Sequence, residues 1–479
     1  MGILVQDLRP QPPRERLRRF EVFQPEFPSS TDMGQIGSPA VAPVLANKTN
    51  LSLNEEPPCE YFNFPGIVAV VGISATFGLA QDASSFKTLY SFTGQPDGAN
   101  PWAGVVIAQD GGLYGTTSSG GTSNLGTVFE LVPSTTQGAS WTETVLHDFT
   151  GSDGANPWAG VVIAKGGVLY GTTHAGGTSN SGTVFRLMPP SSPGGAWTER
   201  VLHDFAVRDG FNPAAGVVIG SGGVLYGTTS SSGPSGTVFS LTPPAAPGGA
   251  WTEAELQTFE SNDGAVPFAG LVIGSGGVLY GKTIGTIESR VCLAPDAECG
   301  VVYSLTPPLS PGSAWTETLI YNLPCVSPLT SPGYAGGGVA IGSGGVLYGT
   351  DRCGGGDGTV FSLTPPASPG GAWTETTLYS FNGGGSYGAL PLGVVIGPNG
   401  VLYGTTYSGG TSNNGSVFSL TPPASPGGAW TESVLHDFTG GGDGSAPQAG
   451  LVISKNGVLY GTTSSGGASN AGTVFELKP

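Results

Sequence analysis

The tripeptide Leu-Tyr-Gly returns seven times along this chain, and that repetition constrains the fold more than any other feature. Its tyrosines are Tyr114, Tyr170, Tyr226, Tyr280, Tyr348, Tyr403 and Tyr460, separated by 56, 56, 54, 68, 55 and 57 residues. Six copies of Trp-Thr-Glu run in step with them, beginning at Trp141, Trp197, Trp251, Trp315, Trp373 and Trp430. A fixed period of this length means that one supersecondary unit is copied and stacked, so that neighbours bury what a single unit cannot.

One unit holds four strand-like pieces: Ala159–Ile163, Val168–Thr173, Gly182–Leu187 and Trp197–Phe205. Each is short, rich in β-branched or aromatic residues, and bounded by Gly, Pro, Asn or Asp. Four strands repeated seven times predict an all-β fold, a seven-bladed β-propeller over residues 84–479. The first three strands are apolar on both faces, as inner strands sandwiched between blades should be. The fourth carries the recurring Glu143, Glu199, Glu253, Glu317, Glu375 and Glu432. Charge on an outermost strand discourages edge pairing, so the blade order from the axis outward is A, B, C, D. The array ends after a C-type strand, Gly472–Leu477, and begins with an unmatched D-type strand, Phe86–Phe92. The expectation is that residues 86–92 complete blade 7 and close the ring.

The motif Val-Leu-Tyr-Gly-Thr-Thr, followed by Gly-Gly and Gly-Thr-Val-Phe between Val168 and Phe185, resembles the GloVer-type tandem repeat of bacterial surface proteins, a choice-of-anchor family. The resemblance implies an exported protein, often with a carboxy-terminal anchor; this chain departs there, ending at Pro479 without a sorting tail. It supplies no catalytic residues.

Composition fits this picture. The chain has 83 Gly and 40 Pro in 479 residues, only 10% charged residues and a formal charge of −17. Nucleic-acid binding needs Lys and Arg to displace phosphate counterions, so nucleic acid is excluded as a partner. Residues 1–63 match nothing in the repeats and read as a disordered or mis-annotated extension. Residues 64–80, from Phe64 to Ala80, form an apolar run ending in small residues, suited to a signal-peptide core or an uncleaved anchor. Its distance from Met1 and the preceding Glu55, Glu56 and Glu60 are unusual for a signal. Export is expected, with membrane contact only through residues 64–80 if uncleaved, and a monomeric state.

Strand alternation puts the B–C and D–A loops on one face. Their polar, variable sequences, such as Ser118–Asn124 and Thr150–Pro157, make it the better binding face than the uniform Pro-rich C–D loops such as Thr364–Ala372. Five D–A loops carry Asp-Gly, at Asp97, Asp153, Asp209, Asp263 and Asp443. An Asx-type turn explains these without a ligand, since no Asp-x-Asp-x-Asp spacing accompanies them. His147-Asp148, His203-Asp204 and His436-Asp437 end D strands, where adjacent side chains diverge, so they read as repeat consensus. Gly384-x-Ser386-x-Gly388 lacks the strand–turn–helix setting of a nucleophile elbow. Trp102 and Trp158 could stack a sugar, but packing is the simpler role.

The repeat breaks in blades 4 and 5. Thr-Thr at the end of strand B becomes Lys282-Thr283 and Thr350-Asp351, followed by Arg352, and the long B–C loop of blade 4 carries Glu288 and Arg290. Lys282, Glu288, Arg290, Asp351 and Arg352 are the candidate binding residues, against the plainer reading of solvated charges in a decayed repeat. No catalytic set, metal set or cofactor motif is evident. The function expected is a non-enzymatic binding or scaffold protein taking a glycan or protein ligand; the alternative is an extracellular polysaccharide lyase or hydrolase. Four cysteines cluster in the same region, Cys292, Cys299, Cys325 and Cys353, with Cys59 far upstream. The topology favours disulfides 292–299 and 325–353, the second joining loops of one face within the Cα separation of about 4.4–6.8 Å that a bridge needs.

Overall fold

The computed structural model describes residues 85–479 apart from 135–139, 193, 231–234, 247, 260–264, 284–297, 311, 325–336, 353–356, 369, 383–387 and 426. The readings of residues 1–63 and 64–80 lie outside these.

Seven four-stranded antiparallel sheets follow one another along the chain, and in six of them the strands lie in sequence order A-B-C-D. Blade 2 is representative, with strands Val162–Ile163, Leu169–Thr173, Thr183–Met188 and Thr198–Asp204. Strand A is shorter than expected in every blade but the sixth, where it runs over Gly388–Ile396. A run of five apolar residues suggests a full strand, but only Val162 and Ile163 pair with strand B, and a Gly fixes the backbone just before them. A Cβ on Gly160 would lie 2.9 Å from the Gly104 carbonyl oxygen of blade 1, and one on Gly104 would lie 3.1 Å from the Gly450 oxygen of blade 7. The innermost backbones therefore touch from blade to blade, which places strand A at the axis.

The ring closes as the strand phase requires. Ser85–Ser91 pairs antiparallel with Thr473–Lys478, with Phe86 opposite Leu477 and Tyr90 opposite Val474. This gives blade 7 its D strand. Closure leaves no blade with an unpacked face.

The repeat motif is explained by packing across strands and across blades. Gly171 lies opposite Phe185 on strand C, and a Cβ there would lie 2.4 Å from the Phe185 ring. The Gly of Leu-Tyr-Gly thus makes room for the Phe of Gly-Thr-Val-Phe. Phe185 in turn meets Phe149, from the end of strand D of blade 1, at a centroid distance of 5.2 Å. Phe205–Phe239 and Phe438–Phe475 repeat that edge-on contact at 5.1 and 5.4 Å. The Tyr of Leu-Tyr-Gly packs against the Trp that starts strand D of the next blade: Tyr114–Trp197, Tyr170–Trp251 and Tyr226–Trp315 lie 6.0, 5.8 and 5.7 Å apart. Tyr460–Trp141 carries the contact across the closure at 6.3 Å. The cores accordingly sit between blades. One of them joins Val128 and Phe149 of blade 1 to Val161, Leu169, Phe185 and Leu187 of blade 2. Each buried Phe or Leu contributes roughly 1.5–3 kcal/mol of transfer free energy.

Every D strand also carries a bulge. Val184 pairs with His203 while the next residue, Phe185, pairs with Val201, so Leu202 is an extra residue. Leu89, Leu146, Leu256, Ile320, Leu378 and Leu435 occupy the same place in the other blades. A bulge re-aims the side chains beside it, and the residue re-aimed here is the His, Tyr or Gln that follows.

Candidate functional site

The loop face is built as the strand order implies. D–A and B–C loops of adjoining blades bridge one another at Ala99–Ser119, Ala155–Ala175 and Ser445–Ser465. The aspartate of each His-Asp pair anchors a B–C loop. Asp148 accepts from the Thr122 backbone N–H at 2.9 Å, Asp204 accepts from Thr178 N–H at 2.9 Å and Thr178 Oγ1 at 2.6 Å, and Asp437 accepts from Thr411 N–H at 3.3 Å.

The histidine of each pair turns elsewhere. His147 Nε2 lies 2.9 Å from Asp153 Oδ2, His203 Nε2 3.1 Å from Asp209, and His436 Nε2 3.2 Å from Asp443. Tyr90 replaces the histidine in blade 7 and donates to Asp97 at 2.7 Å. Each of these aspartates also holds its loop, accepting from a backbone N–H three or four residues before it rather than two after it as an Asx turn would: Thr150 N–H and Oγ1 both donate to Asp153 Oδ1 at 2.9 Å. The following Gly154 has φ 131°.

The recurring glutamates correct the sequence reading. Their pattern implies exposed charges guarding an outer edge, yet Glu143, Glu199, Glu253, Glu317, Glu375 and Glu432 are all half-buried. The start of strand D packs against the preceding blade, as the Tyr–Trp contacts show, and this turns Glu199 and Glu317 into a joint. Glu317 accepts from Gln257 Nε2 of blade 3 at 2.7 Å. Glu199 reaches the His147–Asp153 pair of blade 1. Burial first, and then the nearby Asp153, pushes the Glu199 carboxyl up to about 7. Burial and Asp97 do the same to Glu143, also to about 7. Burial pulls His203 and His436 below the ordinary imidazole range against the opposing pull of Asp209 and Asp443. The joint between blades 6 and 7 departs from the pattern, because Phe86 stands where the other blades carry Glu.

The charged break in the repeat falls at the ends of strand B but is more enclosed than its sequence suggests. The sequence suggests loop-face charges or solvated remnants at Lys282, Asp351 and Arg352; they are only 3%, 7% and 8% exposed. Lys282 replaces the first Thr of Thr-Thr. In other blades that hydroxyl donates to strand A of the next blade, as from Thr172 to the Ala215 oxygen at 3.0 Å. Lys282 Nζ makes a longer-reaching version, donating to the Thr350 oxygen of blade 5 at 2.8 Å, one residue from Asp351. Arg352 occupies the position held by Ser118, Ser230 and Ser464 elsewhere, and its guanidinium carbon lies 5.8 Å from the Tyr407 ring centroid of blade 6. Glu288, Arg290 and the Ser386 pattern lie outside the described residues, as do Cys292, Cys325 and Cys353. Cys299 falls within the long strand C of blade 4, Glu298–Thr306.

Aromatics gather at the corresponding places in blades 1 and 2. Trp102 and Trp158 lie 5.0 Å apart, and His174 stacks flat on Trp158 at 3.4 Å and 9°. His174 Nδ1 lies 3.3 Å from the Pro213 carbonyl, and burial pulls its pKa down to about 4. Trp158 is thus engaged by His174 and Trp102, in keeping with the packing reading.

No curated protein matches the sequence. Among solved structures, a protein of unknown function from Dyadobacter fermentans is 11% identical with a TM-score of 0.40, over 83% of this chain and 99% of that one. A proposed oxidoreductase (glucose dehydrogenase) from Thermus thermophilus is 17% identical with a TM-score of 0.38, over 82% and 100%. A Trypanosoma rangeli sialidase is 12% identical with a TM-score of 0.36, over 82% and 58%. At these identities the likeness says nothing of activity. The Gloeobacter/Verrucomicrobia repeat, by contrast, matches residues 69–291 and 294–479, nearly the whole stretch that the seven blades occupy. With the repeat motif accounted for residue by residue in the blade joints, the chain belongs to the Gloeobacter/Verrucomicrobia repeat family.

Proposed function

We propose that this chain is an exported, non-enzymatic binding protein that takes a glycan or protein ligand on the face formed by the B–C and D–A loops, centred on blades 5 and 6. The observation that carries this reading is the Arg352–Tyr407 pair. On adjacent blades it sets a cation beside an aromatic ring, at positions that hold serine in blades 1, 3 and 7. A guanidinium pairs bidentately with a carboxylate, and an aromatic ring offers a stacking surface. A ligand with acidic groups, such as a uronate-containing glycan, suits this chemistry best. Export rests on the apolar segment 64–80 and on four cysteines placed in the region where the repeat diverges.

The test is to incubate the purified chain with a panel of neutral and acidic polysaccharides, measuring retention and product release together. The reading expects retention of acidic members without products, reduced at least tenfold in Arg352→Ala and Tyr407→Ala. Product release abolished by Arg352→Ala would establish the lyase or hydrolase alternative instead.

A further inference from the structure

The joint between blades 1 and 2 gathers metal-ligating groups that the binding face does not use. His147 comes from strand D of blade 1, Asp153 from the following loop, and Glu199 from strand D of blade 2. One ligand atom from each lies within 4.8 Å of the other two, a grouping found here among the described residues. His147 Nε2 and Asp153 Oδ2 are 2.9 Å apart. Ligand atoms of a tetrahedral zinc ion, with bonds near 2.0–2.1 Å, stand about 3.3 Å from one another, so a small separation of this pair admits the ion.

The surroundings are those of a prepared site. Thr150 donates twice to Asp153 Oδ1, at 2.9 Å from both its N–H and its hydroxyl, and so aims Oδ2 at the histidine. Phe149 packs edge-on to the His147 ring at 4.8 Å and 84°, fixing its plane. Outer contacts of this kind orient first ligands. Glu199 Oε1 is buried with no hydrogen-bond partner among the described residues, and its carboxyl stands close to the Asp153 carboxylate, a pairing of like charges that a cation would relieve. His147 and Asp153 keep 18% and 17% side-chain exposure, enough for an ion and a water ligand to enter. The joint between blades 6 and 7 keeps the His436–Asp443 pair but stacks Phe86 on the histidine at 3.7 Å, which removes the third ligand.

We propose that His147 Nε2, Asp153 Oδ2 and a Glu199 carboxylate oxygen bind one divalent transition-metal ion, zinc being the best fit, with solvent completing the coordination. His147 binds the ion through Nε2 as neutral imidazole, with its ring proton on Nδ1, and Asp153 binds it as carboxylate. The ion ties blade 1 to blade 2 at their outer strands.

Cobalt(II) titrated into the full chain, with its thiols blocked by iodoacetamide, reads the site directly. The expected result is one equivalent bound, with visible ligand-field bands and no thiolate charge-transfer band, and displacement by zinc. Glu199→Gln and His147→Gln should each weaken cobalt binding by about ten- to a hundredfold, and His436→Gln should leave it unchanged. Absence of ligand-field bands in the parent chain, which needs no variant to fold, would overturn the proposal. So would binding that survives Glu199→Gln, or that is lost in His436→Gln.

Discussion

Phe86 lies flat on His436, with ring centroids 3.7 Å apart and planes within 7° of parallel. The two residues are 350 positions apart in sequence and meet only because the first described strand is the last strand of the ring. Phe86 also contacts Phe438 and Phe475, at 5.9 and 5.3 Å. Phe86→Ala removes all three contacts from a partly buried site and should cost about 2 kcal/mol. Denaturant unfolding followed by tryptophan fluorescence measures this, with the midpoint lowered and the transition still single.

Tyr303 stands where the other blades carry Phe. Its ring is fully buried, and its hydroxyl makes no hydrogen bond among the described residues. Burial, with the nearby Glu317 second, pushes its ionisation well above the ordinary tyrosine range. Tyr303→Phe deletes an unsatisfied buried group and should stabilise the chain by about 1 kcal/mol. A thermal melt checks the direction, since loss of a satisfied hydrogen bond would lower the midpoint instead.

Glu143 gives the stability a pH dependence. Its carboxyl is pushed up from 4.5 to about 7 by burial first and by Asp97 second. The folded state therefore holds a proton that the unfolded state releases at lower pH. The stability this contributes is fully present below about pH 4.5 and is lost as the pH rises through about 7. Discounted for partial exposure to solvent, the loss is about 1 kcal/mol. Denaturation midpoints of the parent chain and Glu143→Gln, measured from about pH 4.5 to about pH 8.5, should diverge as the pH rises, with the variant the flatter of the two.

Much of this was legible in the sequence because repetition multiplies weak signals. Blade number, strand order and the complementary ends all follow from the spacing of Leu-Tyr-Gly and Trp-Thr-Glu. The joints were not legible, because they are assembled from three segments. His147 meets Asp153 six residues on and Glu199 in the next repeat, and the bulge at Leu146 alters the simple alternation by which the histidine would be placed. The signal available was co-occurrence: the Glu of each Trp-Thr-Glu, a His, Tyr or Gln four residues after that Glu, and, in blades 1, 2, 3 and 6, an Asp in the loop beyond it. The break at Lys282, Asp351 and Arg352 was visible as a departure from Thr-Thr. Its burial was not, since a lysine that reaches the next blade's carbonyl takes over a tie that a threonine makes elsewhere.

Closure of the ring by the amino-terminal strand is the claim on which the rest depends, and truncation tests it most directly. Removing residues 1–80 retains every residue of Ser85–Ser91, whereas removing residues 1–92 takes away the strand paired with Thr473–Lys478 together with Phe92, which packs on Phe129 of blade 1 at 5.0 Å. Thermal unfolding of both truncations beside the full chain should leave the first near the parent midpoint and lower the second by many degrees, with loss of a single cooperative transition. Equal midpoints for the two truncations would contradict the closure.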